Sequence, residues 1–120
     1  MTAYDKAHEL AKLLGNSDEY NLFKKAKHSL EQDQENVKML QDFRRKQLEI
    51  QMAQISGVEV DEEYIKQTEQ LYEVLSMNSN INEYLNAEYR LSRMMSDIQK
   101  ILGDAVKEWF SLEMTNKNVN

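Results

Sequence analysis

His8 and His28 are the two imidazoles of the chain, and only His8 has a carboxylate, Asp5, one helical turn before it; His28 has Lys25 in that position. A di-iron helical bundle needs a Glu from each of two helices and a Glu-x-x-His pair from each of two more. Neither histidine meets that pattern, so no metal ligand is expected. There is no cysteine, which removes disulfides, thiolate nucleophiles, Cys-held zinc and ordinary iron–sulfur ligation.

Carboxylates cluster at Glu31, Asp33 and Glu35 and again at Asp61, Glu62 and Glu63. Both clusters fall where helices are predicted to start, and there negative charge answers the helix dipole without catalysis. No phosphate-cradling glycine loop, nucleophile elbow or paired nucleophile and base occurs. The expectation is no enzyme, no catalytic residue and no cofactor. Two basic groups could hold RNA phosphates, with Lys24 and Lys25 in one and Arg44 and Arg45 in the other. They lack interleaved aromatics for base stacking. Pairing of Arg44 and Arg45 with Asp42, Glu49 or a partner chain is the favoured reading, and nucleic acid is the weaker alternative.

These side chains are carried on helices. The chain has 120 residues, 3 glycines, no proline and 30% charged residues, a composition that favours long helices over turn-rich sheet. From Gln34 to Ser56 the apolar positions Val37, Leu40, Phe43, Leu48, Ile50, Met52 and Ile55 fall mostly at three- and four-residue spacing. Such a helix is roughly 35 Å long. A second long run, Ile81 to Glu113, carries Tyr84, Leu85, Leu91, Met94, Met95, Ile98, Ile101, Leu102, Trp109 and Leu112.

The spacing therefore predicts an all-α helical bundle built on an antiparallel hairpin of residues 34–56 and 81–113, with shorter helices at 3–14, 18–31 and 62–77. One domain, 1–113, is expected, with a frayed tail at 114–120. Thr2, Ser17, Asp33 and Asp61 are predicted caps, and Asn80 with Glu83 resembles a capping box. Gly15 and Gly57 are predicted left-handed stops. The methionines, Met94 and Met95 included, read as core filler, with Met39 and Met52 as adaptable interface residues.

An unbroken last helix would be roughly 50 Å long, while a compact domain of this length is only about 35 Å across. Its overhang would expose Ile101, Leu102, Trp109 and Phe110, a patch that monomers seldom tolerate. A homo-oligomer, with a dimer favoured, is expected. Its interface candidates are Phe43, Leu48, Met52, Ile55, Ile101, Leu102, Trp109 and Leu112, with Phe43 and Trp109 as anchors. A kink at Gly103 that folds the end back is the competing reading. No stretch approaches the ~18 apolar residues of a membrane span, no basic leader precedes the first helix, and the net charge is −6. A soluble cytoplasmic protein with no membrane contact and an unidentified protein partner is expected.

The segment LQDFRRKQLEIQMAQISG from Leu40 to Gly57, the acidic helix start at Asp61 to Glu63, and INEYLNAEYRLSRMMSDIQKIL from Ile81 to Leu102 resemble the YlbF/YmcA-type proteins in order and spacing, in particular their YheA-like branch. The resemblance implies a small all-helical protein of low-GC Gram-positive bacteria that self-associates and has no known catalysis. Better-studied relatives regulate competence, sporulation and biofilm formation. Some join a complex that influences an endoribonuclease and mRNA maturation and can carry iron–sulfur clusters. A chain without cysteine is not expected to share the cluster. No functional residue is mapped by the resemblance beyond helix-packing positions.

Overall fold

The computed structural model describes residues 1–111, and they form helices without strands. In order these are α1 (Ala3–Gly15), α2 (Asp18–Glu31), α3 (Gln34–Ile55), α4 (Glu62–Ser76) and α5 (Ser79–Ala105). A further helical segment spans residues 107–111. Leu112 and the tail 114–120, expected to be interface and frayed end, lie outside the described residues. Among the described residues no helix is long and apolar enough to cross a membrane.

Each start is set by a side chain that accepts from an otherwise orphaned backbone N–H. Thr2 and Asp5 form a reciprocal capping box on α1. Ser17 accepts from Tyr20 N at 3.2 Å, Asp33 from Glu35 N at 3.0 Å and Asp61 from Glu63 N at 3.0 Å. Asn78, not Asn80, caps α5, accepting from Ile81 N at 3.1 Å. The earlier asparagine wins because its Nδ2 also finds a buried partner, Asn36 Oδ1, at 3.0 Å.

Gly57 closes α3 at φ 72°, with Val58 N donating to Ala53 O and Gly57 N to Gln54 O. That pair of bonds is a Schellman motif. Gly15 does not act this way. It stays helical, and Asn16 ends α1 with a negative φ of −106°.

The pairing of the long helices corrects the expected hairpin. α3 folds back against α4, and α5 makes its most extensive contact with α2. Small buried residues, Ala26 and Ala87, line a shared surface there. α3 and α5 meet through Asn36–Asn78 and Arg44–Glu88. Partner numbers rise together in those two pairs, so the helices run in the same direction. The reason is connectivity, since α4 already supplies the antiparallel neighbour that the apolar face of α3 requires.

Leu30, Leu40, Leu75 and Ile81 form the core where the α2–α3 and α4–α5 turns come together. Leu75 and Ile81 are the fully buried pair, at 1% and 0% exposure. From this hub the α3/α4 and α2/α5 pairs extend as two arms. The chain measures 55 × 41 × 16 Å with a radius of gyration of 19.0 Å, against about 14 Å for a compact domain of this length.

The last helix is also shorter than expected. α5 stops at Ala105, and Val106, at φ −131° and ψ 44°, breaks it. The break lies three residues past Gly103. Val106 O then accepts from Trp109 N and Phe110 N, starting a new turn that brings the Phe110 ring over Gly103. A Cβ there would stand 3.6 Å from the ring.

Candidate interaction surfaces on the two arms

Arg44 and Glu88 tie the two arms near the hub. The Arg44 guanidinium donates to Glu88 Oε1 and lies 5.9 Å from the centroid of the Tyr84 ring. Burial pulls the Arg44 pKa down, while the hydrogen bond and charge of Glu88 more than restore it, so the net direction is up. Tyr84 also meets Phe23 of α2, ring centroids 5.6 Å apart.

Past Arg44, the strip of α3 that faces α5 near the hub continues as Leu48, Met52 and Ile55, by helical periodicity. Among the described residues nothing covers them, and they are 58%, 57% and 83% exposed. The matching strip of α5 runs from Glu88 through Met95 to Leu102, both of them exposed. Ile101 is exposed on the adjoining side, and Trp109, 66% exposed, packs edge-on against Phe110 with centroids 5.0 Å apart. Leu102, Gly103, Val106, Trp109 and Phe110 together line an open, mostly apolar groove at the end of this arm.

Phe43 has a different place from the other candidates. It is half-buried in its own chain, against the core and against the Tyr72 ring at 5.5 Å. The two rings lie in an open groove between α3 and α4, with Ile50 beside them and Gln47, Glu69 and Glu73 at the edge. The α3/α4 arm beyond Lys46 is strongly acidic. Residues 47–77 hold Glu49, Glu59, Asp61, Glu62, Glu63, Glu69 and Glu73 against Lys66 alone, a net −6, which equals that of the whole chain. Charges elsewhere balance.

The basic candidates are not brought together as one surface. Arg45 pairs with Asp42 at 2.5 Å and with Glu49 at 3.9 Å, as expected. The hydrogen bond from Arg45, reinforced against desolvation by Lys46, holds the Asp42 carboxyl below its ordinary value. Arg44 finds Glu88. Lys24 lies 5.1 Å from the Tyr20 ring centroid, and Lys25 lines the α2/α5 surface beside Arg90. The helical spacing of Tyr72, Tyr89, Arg90 and Arg93 was visible in the sequence, yet their exposure depends on which helices pair.

Asp5, one helical turn before His8, accepts from Thr2 N at 3.1 Å. Among the described residues no group of three or more His, Asp or Glu side chains could hold a metal ion. What the arrangement offers is contact area, in the form of apolar strips on two arms with charged margins.

An all-α scaffold with uncovered helix faces is thus the class that fold and surface define. Residues 3–107 match the family described as control of competence regulator ComK, YlbF/YmcA. The chain is 42% identical over 106 residues to a UPF0342 protein of Desulfitobacterium hafniense, covering 88% of this chain and 86% of the relative. It is 41% identical over 103 residues to one of Caldicellulosiruptor saccharolyticus, covering 86% of each. A solved structure from Bacillus stearothermophilus, described as a protein of unknown function (DUF964), has the same fold at a TM-score of 0.69 and 19% identity, covering 88% of this chain and 92% of that one. The chain belongs to the YlbF/YmcA family.

Proposed function

We propose that this protein is a non-enzymatic, cytoplasmic, self-associating adaptor that regulates through protein contacts. The inner strips of its arms, Leu48, Met52 and Ile55 with Met95 and Leu102, form the subunit interface. The observation that carries this reading is surface area. The chain exposes 9810 Å², whereas a folded monomer of this mass exposes about 6,800 Å². The excess, about 3,000 Å² per copy, exceeds the roughly 1,000–2,500 Å² that each copy buries in an obligate dimer. The family's description as control of a competence regulator supports a regulatory role.

Light scattering across a wide concentration range tests it. The wild type should have dimer mass or greater, and Leu48→Glu with Met52→Glu should be monomeric with its helix content retained. Trp109 is the one tryptophan, so its emission should shift to shorter wavelength as copies associate. A wild type of monomer mass throughout would refute the proposal. An RNA-associated role is weaker, because Arg44 and Arg45 are already held by carboxylates. Salt-sensitive RNA retention lost on reversing Lys24 and Lys25 would favour it.

A further inference from the structure

The groove floored by Phe43 and Tyr72 lies on the same arm as the apolar strip, yet it has different chemistry. Its rim holds Glu69 and Glu73, one helical turn apart, and neither makes an ion pair among the described residues. On the other arm Arg90 and Arg93, three residues apart on α5, are exposed and make no ion pair among the described residues, with Glu19 and Asp97 lining the same surface. One molecule therefore presents two carboxylates beside an aromatic floor and, elsewhere, two guanidinium groups at nearly the same spacing. We propose that a second copy of this chain docks in the Phe43–Tyr72 groove, its Arg90 and Arg93 meeting Glu69 and Glu73.

Arginine suits this position because its planar fork pairs with carboxylates and stacks on an aromatic face. Tyr72 is 52% exposed and available for that stacking. The source of the occupant is argued from charge and area. The arm bearing the groove holds the net charge of the chain, so its best complement is cationic, and Arg90 and Arg93 are two exposed guanidinium groups that make no ion pair among the described residues. Under two-fold symmetry the exchange is reciprocal, forming the contact twice per dimer. The uncovered surface described above is large enough for it. This inference rests on self-association and adds to it the pairing that sets partner and register.

The test is a charge swap read by analytical ultracentrifugation. Glu69→Lys with Glu73→Lys, and separately Arg90→Glu with Arg93→Glu, should each raise the dissociation constant at least tenfold. An equimolar mixture of the two variants should recover wild-type affinity, because both contacts in the mixed dimer are then attractive. The neutral pairs Glu69→Gln with Glu73→Gln and Arg90→Gln with Arg93→Gln should weaken assembly less, and circular dichroism should show all variants folded. Variants that keep wild-type affinity, or a mixture that stays dissociated, would overturn the inference while leaving self-association intact. A monomeric wild type, including one that binds a lysine-rich helical peptide in the groove, would overturn both.

Discussion

Arg44 donates to Glu88 across 44 residues of chain, the one ion pair that joins α3 to α5 among the described residues. The two side chains are 42% and 34% exposed, so the pair is partly screened and contributes about 0.5–1 kcal/mol. Contact with the Tyr84 ring adds a similar amount. Arg44→Ala should thus cost about 1–2 kcal/mol in urea denaturation, and a double-mutant cycle with Glu88→Gln should isolate the ionic share. Spin labels at positions 55 and 102 should report a broader distance distribution between the arms once the tie is removed.

Core and surface leucines should behave oppositely. Leu75→Ala opens a cavity in a hub with few buried residues, and should cost about 2–5 kcal/mol, a large part of a typical stability of roughly 5–15 kcal/mol. Leu48→Ala should leave stability at low concentration within about 0.5 kcal/mol and weaken assembly instead. Thermal melts at two protein concentrations separate the two effects.

Two glycines should also diverge. Gly57→Ala forces a side chain into the left-handed region at φ 72° and should destabilise by about 1 kcal/mol or more. Gly103 is helical, and an added Cβ would meet the Phe110 ring at ordinary van der Waals distance. Gly103→Ala should therefore stabilise by about 0.5–1 kcal/mol through helix propensity, with the turn at Val106 preserved. Melting temperatures of both variants check the signs.

Alkaline pH should reveal Tyr84. Burial first, and then the Glu88 carboxylate, hold its phenol above the ordinary value. A group raised in the folded state contributes stability that is complete below its unfolded pKa, near ~10. The contribution is lost as pH rises through the folded value. Urea midpoints measured upward from about pH 8 should fall beyond about pH 10, and less steeply in Tyr84→Phe. Tyr64, raised by its hydrogen bond to Glu49, moves in the same direction.

Helix content and most boundaries were legible because they are local. Caps at Thr2, Ser17, Asp33 and Asp61 depend on residues within three positions, and Gly57 ends α3 whatever surrounds it. Helix pairing was not legible. The apolar faces of α3 and α5 are compatible with each other and with other partners, and side-chain periodicity carries no information on which neighbour wins. The Asn78 cap was missed because its advantage over Asn80 comes from Asn36, far away in sequence. The expected unbroken helix to Glu113 missed the break at Val106, and the competing reading placed a kink at Gly103 because glycine is the usual signal, whereas the Phe110 ring uses that glycine as a seat without bending the helix there. Exposure of Ile101, Leu102, Trp109 and Phe110 followed from a length argument, though the open shape arises from diverging arms instead of one overlong rod, while that of Leu48, Met52 and Ile55 follows from α3 packing on α4 and not along α5.

The amide of Asn78 is engaged at both ends, accepting from Ile81 N and donating to the 6%-exposed Asn36. A leucine core tolerates slippage, because one methyl group is much like another, but a one-residue shift of either helix would strand these polar atoms away from water. The two arms thus share a pivot with a defined register, so bending between them can change the angle of the molecule without changing its alignment.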